Sequence, residues 1–352
     1  MNSTKCLLPS TVMRGMVAVR NAGMTLWEEQ MLGEDEHQHA DRVYALANEK
    51  SSAASSPIAA SWRRCLTKHG LAPEVAHPPV RLMDAEFQEA LGRSGHVVEE
   101  ASPELDWLFG MVGKAGCCLV FTDSDGVVLD RRGISSEDKQ FRDVGLWMGA
   151  LWSEASVGTN GIGTALAEGR MVTIFRDQHF LSANVGLSCA SAPVRDHKGR
   201  IVGAIDISTA RRDATEMIMP VLAQAVRDSA SRIEVNLFRR AYQDARIVLV
   251  QSSSHSGSAL LAVDRDDMVL GATRAARLAL KLDDHMIDSG MPAADLLHEH
   301  LDSEGKDLLE AERAALRRAL SRNNNNVSLT AQMLGISRAT LHRKINRLGM
   351  HG

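Results

Sequence analysis

Arg338, His342, Arg343 and Lys344, with Thr340 beside them, gather cations and a small donor into one short stretch. Guanidinium forks and hydroxyls are what phosphate oxygens and guanine edges require. Leu341, Ile345 and Leu348 fall at i, i+4 and i+7, which makes an apolar stripe on one helix face and leaves the basic residues mostly off it. Ser337 stands where an N-cap belongs, and Gly349 where a left-handed residue ends a helix. A preceding helix opens at Asn326, buries Ala331 with Leu334, and turns sharply at Gly335, where glycine supplies the conformational freedom.

Charge distinguishes this arrangement from an ordinary hairpin with a solvated basic face. Residues 313–352 hold eight Lys/Arg and no Asp or Glu while the whole chain carries −4, so the preceding residues carry −12. A basic end on an acidic body is the electrostatic footprint of nucleic-acid binding.

Other reactive residues are read more plainly. Cys117, Cys118 and Cys189 lie on predicted strands, where buried cysteine behaves as a small hydrophobe and no adjacent Lys or Arg marks a thiolate. His179 and Asp206 are isolated polar residues near them, and no nucleophile, base and orienter form a set, so no catalytic residue and no enzymatic activity are expected. His37 and His39, beside the acids Glu34–Glu36, read as solvated polar residues, because no further ligand stands at metal spacing. Neither a metal nor a cofactor is expected. Gly158, Gly161 and Gly163 resemble a dinucleotide loop only superficially, since position 166 is Leu; they read as a turn into a helix whose N-terminus faces a cavity.

The elements that must position these residues follow from pattern. A chain of 352 residues with 44% hydrophobic content has material for two or three domains with cores of their own. No run of eighteen apolar residues and no signal peptide are legible, and five cysteines at irregular spacing suit a reducing compartment, so the expected location is cytoplasmic. Residues 1–50 look poorly organised, and residues 51–80 form a helical extension in which Ile58, Trp62, Cys65 and Leu66 share a face and Gly70 is the stop. Between 81 and 241 the pattern predicts a helix over 84–113 and strands at 117–123, 127–133, 171–175, 188–194 and 201–209. A long helix over 216–241 closes the region. The simplest assembly is an antiparallel sheet of five or six strands with helices on one side, an α+β fold. After a serine-rich linker at 251–257, two strands around a polar turn precede a helix capped by Thr273. The last region spans 306–352.

Two stretches also resemble known families. From Leu308 to Met350, LLEAERAALRRALSR, an Asn-rich turn, AQMLGISR and the TLHRK helix resemble the DNA-binding region of the Fis family. That resemblance implies an obligate dimer on double-stranded DNA, with Ser337, Arg338, Thr340, His342 and Arg343 nearest the duplex. It further implies Arg338 on a base and Ser328 on a phosphate. His342 departs from the aromatic or basic residue more usual there. SWRRC, GLWMGALWSEASVGTNGIGTALAEGRMVTIFRDQHF and LSCASAPVRDHKGRIVGAIDIST are similar to the sensory half of the acetoin-catabolism regulator family, whose members carry a GAF domain at this place. On that resemblance Phe121, Trp147, Trp152, Ile174 and Cys189 are the candidate ligand-binding residues, and the effector is a small alcohol, ketone or diol. Residues 258–300 resemble the first third of a PAS domain.

Regulators of that family place an ATP-driven motor between sensor and DNA-binding helices. Here Gly113–Lys114 and Gly305–Lys306 are followed by Ala and Asp, so neither is a GxxxxGK[ST] loop. The expectation is therefore a dimeric regulator acting on DNA without ATP, with RNA polymerase among its partners and no membrane. Two alternatives stay open: an architectural DNA-binding protein with a non-sensing GAF domain, and a cysteine or metal redox sensor.

Overall fold

Apolar residues at every second position on both faces of Cys117–Asp123 (β1) decide how the larger sheet is covered. The computed structural model describes residues 26–49, 56–75, 78–213, 215–251, 258–265, 268–288, 291–298 and, within 312–350, all but 314, 317–318, 321–322 and 324–325. It divides into two units, Met1–Arg240 and Ala241–Gly352. In the first, β1 joins Val128–Arg132 (β2), Val172–Phe175 (β3), Ser188–Arg195 (β4) and Ile201–Thr209 (β5) in the order β2-β1-β5-β4-β3, every pair antiparallel. Left-handed Gly126 makes the turn between β1 and β2, and left-handed Gly199 the turn between β4 and β5.

The seven helices of this unit among the described residues are Leu26–Asn48 (α1), Pro57–Thr67 (α2), Asp84–Val112 (α3), Asp138–Asp143 (α4), Glu154–Val157 (α5), Gly161–Glu168 (α6) and Met219–Ala241 (α7). One sheet face presents Leu119, Phe121, Ala190, Ala192, Ile205 and Ile207 to Val97, Ala101, Leu105 and Leu108 of α3 and to Leu222, Val226, Ala230 and Ile233 of α7. Each such buried Leu, Ile or Phe contributes about 1.5–3 kcal/mol. The opposite face presents Cys118, Val120 and Cys189 to Val43 and Ala47 of α1, Trp62 and Cys65 of α2, Phe141 of α4, Ile162 of α6, and Trp152 and Phe180 in the connecting segments. The expectation of helices on one side is corrected here: β1 is buried along its whole length, and a sheet apolar on both faces needs cover on both.

Helix α1 corrects a second expectation. Residues 1–25 lie outside the described residues, but 26–48 are helical, and His39 is buried rather than solvated. Its Nε2–H donates to the carbonyls of Asp177 (3.2 Å) and His179 (3.1 Å), so its Nδ1 accepts from Ser182 Oγ (3.0 Å).

In the second unit Arg246–Leu249 (β6), Leu260–Val263 (β7) and Val269–Ala272 (β8) form an antiparallel sheet in that order. Strand β6 lies in the stretch that the sequence pattern leaves unassigned. Thr273 caps Arg274–Leu280 (α8) as expected, and Asp284–Asp288 (α9) and Ala293–His298 (α10) follow; Leu261, Val263, Val269, Ala276, Ile287 and Leu296 form the core. Residues 312–320 are helical where described, ahead of Val327–Met333 (α11) and Arg338–Arg347 (α12). Leu316, Ala331, Leu341 and Leu348 are the core of this terminal set. Among the described residues no helix is long and apolar enough to cross a membrane.

Candidate functional site

Strand register brings the polar residues of the first unit's second face together. Ser191 pairs with Asp206 and Cys189 with Ser208 across β4 and β5, and all four are buried. Ser191 Oγ and Ser208 Oγ donate to the two oxygens of Asp206, the latter at 2.6 Å. Burial pushes the Asp206 carboxyl up to about 6 against these two donors. His179 Nδ1 lies 2.8 Å from the Arg176 carbonyl, so that nitrogen carries the proton, and Nε2 accepts from the Cys189 thiol at 3.4 Å. Burial holds His179 down at about 4, hence neutral.

Gly161, the first residue of α6, completes this cluster. Its N–H bonds to the Cys189 sulfur. A Cβ on it would stand 2.4 Å from Ser191 Oγ and 2.6 Å from Asp206 Oδ1. The glycine therefore lets the helix start directly against the carboxyl, and Asn160 caps it by accepting from Gly163 N at 2.9 Å. Close packing, not phosphate approach, accounts for this glycine. Burial disfavours the thiolate here: it pushes Cys117 up to about 11 and Cys118 to about 12, and raises Cys189 as well. No cluster of three or more metal-ligating side chains occurs among the described residues.

The five candidate ligand residues do not form one set. Trp152, Ile174 and Cys189 lie on the second face and are buried. Phe121 does not join them, because its parity in β1 turns it to the other face, among the residues of α3 and α7. Trp147 is half-buried between two guanidiniums, with Arg131 and Arg142 at 4.1 and 4.2 Å from its ring centre.

Sequence reasoning missed Glu154. It is buried, and Arg64 grips it through Nε (2.8 Å) and Nη2 (2.9 Å) while Ser61 donates at 2.8 Å. Trp62 Nε1 donates to the Gln178 carbonyl at 3.0 Å. Ser61 and Arg64 of the SWRRC segment thus meet Glu154 of the WSE segment in one contact. Their one legible signal was an acid and an arginine within otherwise apolar helical faces.

In the terminal helices Asn326 Oδ1 accepts from Ser328 N and Leu329 N, and Ser337 Oγ accepts from Thr340 N at 3.1 Å. Gly335 (φ +66°) makes the turn and Gly349 (φ +63°) ends α12. Ser328, Ser337, Arg338, His342 and Arg343 are exposed, and Thr340 is half-buried. Arg343 Nη2 reaches Thr340 Oγ1 at 3.4 Å. Lys344 is placed differently from its neighbours: with Arg347 it ion-pairs with Glu312.

Residues 34–234 match the family described as MimR, N-terminal domain, and residues 308–348 match the bacterial regulatory proteins of the Fis family. An acetoin catabolism regulatory protein of Cupriavidus necator is 32% identical over 225 residues, covering 63% of this chain and 34% of that protein. The propane 2-monooxygenase operon transcriptional activator MimR of Mycolicibacterium smegmatis is 32% identical over 187 residues, 53% of this chain and 30% of that protein. The chain thus spans about a third of the length of these curated relatives. A crystal structure of the E. coli DhaR(N)–DhaL complex aligns with a TM-score of 0.47 at 20% identity, over 64% of this chain and 76% of that one.

Proposed function

The chain belongs to the family of the MimR N-terminal domain and carries a Fis-family helix-turn-helix, and on that premise we propose that it is a transcription regulator that senses a small organic effector. The carrying observation is the pairing of these two modules in one chain. The relatives, named as regulators of acetoin catabolism and of a propane monooxygenase operon, support the same reading. In it the GAF-like first unit takes the effector on the second face of its sheet, and the segment with β6–β8 is a partial PAS-like spacer. Helix α12 lies in the major groove, with Arg338 and Arg343 outward and Ser328 on a phosphate, in a homodimer on a two-fold site. The stretch between residues 241 and 308 has no GxxxxGK[ST] signature, which supports action by occupancy or recruitment of RNA polymerase rather than by ATP hydrolysis. The protonated thiols speak against a redox sensor.

The test is footprinting of promoter DNA with the full chain, with and without candidate effectors. Arg338→Ala should relax sequence preference, at about 1–3 kcal/mol for a lost bidentate base contact. Arg343→Ala should weaken binding to all sequences alike. Footprints unchanged in both variants would sink the assignment.

A further inference from the structure

Arg131 on β2 is a buried cation whose best hydrogen-bonding edge is unused. Its side chain is 8% exposed. The guanidinium carbon lies 4.1 Å from the ring centre of Trp147 and 5.8 Å from that of Phe141. Asp138 Oδ1 stands 2.8 Å from Nη1 as an ion pair, without making a hydrogen bond of it. Nε and Nη2 have no hydrogen-bond partner. The Cys118 thiol beside the guanidinium interacts with it as a weak sulfur acceptor, which leaves the charge without an anionic hydrogen-bond acceptor. Buried charged donors left unpaired are costly and rare, so this edge points to an absent partner.

The same chain shows what that edge takes. Arg64 holds Glu154, Arg200 holds Asp196 and Arg211 holds Asp213, each through Nε and Nη2 together. In all three cases the partner is a carboxylate, gripped on both oxygens by Arg64 and Arg211 and on one by Arg200. Arg131 presents the same edge in a buried setting, where such a pair is worth more than on the surface. Gly133 packs directly against the guanidinium, and a Cβ there would lie 2.5 Å from Nη2 and displace it. Arg142, stacked on the other side of Trp147, adds a second cation to the surroundings.

We propose that Arg131, flanked by Trp147, Phe141 and Gly133, is the receptor for the carboxylate of a small organic acid, and that this acid is the effector. The inference rests on the sensor reading above and narrows its ligand from neutral alcohols, ketones and diols to carboxylates.

Calorimetry and thermal shift on the full chain would compare acetate, propionate, lactate and benzoate with their amides at matched ionic strength, alongside small alcohols, ketones and diols. At least one acid should bind and raise the melting temperature while its amide does not. Arg131→Gln should weaken that acid about ten- to a hundredfold. Arg131→Lys, which keeps the charge and loses the fork, should weaken it too. Gly133→Ala should do the same in a chain that stays folded by circular dichroism, which keeps the test decisive if Arg131→Gln fails to fold. Equal binding of acid and amide, or acid binding untouched in all three variants, overturns the assignment. Binding of neutral compounds without any acid overturns the carboxylate and leaves the sensor reading standing; binding of neither class overturns both.

Discussion

Asp206 and His179 sit in one buried cluster and respond to acid in opposite senses. Folding raises Asp206 from 3.8 to about 6, so between those values the folded chain binds more protons than the unfolded one, and this carboxyl makes folding more favourable as pH falls. His179 is lowered from 6.5 to about 4, so its contribution is lost as pH falls through that window. Each amounts to about 3 kcal/mol at 1.36 kcal/mol per unit, and over the shared range they offset one another. Asp206→Asn removes one of the two slopes. Melting temperatures measured from pH 7 to pH 4.5 should therefore fall more steeply in the variant than in the wild type. Parallel curves would mean that Asp206 does not titrate there.

Helices α11 and α12 show how an element is fixed by its ends. Asn326 and Ser337 satisfy the first amides, and Gly335 and Gly349 adopt left-handed conformations at the exits. At Gly335 no atom lies within 4 Å of where a Cβ would go, so a substitution there tests the backbone alone. Gly335→Ala should destabilise the terminal helices by about 1 kcal/mol through its positive φ, read from denaturant unfolding followed by far-ultraviolet circular dichroism. A midpoint within error of the wild type would contradict a left-handed turn at this residue. Helix α6 shows the complementary case: Gly161 is left without a side chain by Ser191 and Asp206 opposite, not by its dihedral angle.

Across the whole molecule the charge is divided, with residues 313–352 carrying eight cations and the preceding residues −12. Glu312 stands at the boundary and ion-pairs with both Lys344 and Arg347, which hold its carboxyl below the usual range. Glu312→Ala should release both cations toward DNA. The slope of log Kobs against log salt should then steepen by about one to two, at roughly −0.9 per phosphate neutralised, in fluorescence anisotropy titrations with duplex DNA. An unchanged slope would show that neither side chain reaches phosphate even when freed.

Local pattern alone determined most of the elements. Apolar runs bounded by turn residues placed β1 to β5, a 3.6-residue stripe placed α7, and Asn326, Ser337, Gly335 and Gly349 placed the terminal helices, because each depends on residues a few positions apart. Charge segregation and the terminal helix pattern were likewise present in the sequence. The tertiary structure decided what depends on distant partners. Phe121 had a definite parity in β1, yet only assembly showed that this parity meets α3 and α7. His39 meets Ser182 across 143 residues, Arg64 finds Glu154 across 90, and Lys344 is drawn to Glu312 across 32. The unpaired edge of Arg131 was invisible in sequence for the same reason, since a donor's lack of a partner is a property of everything packed around it.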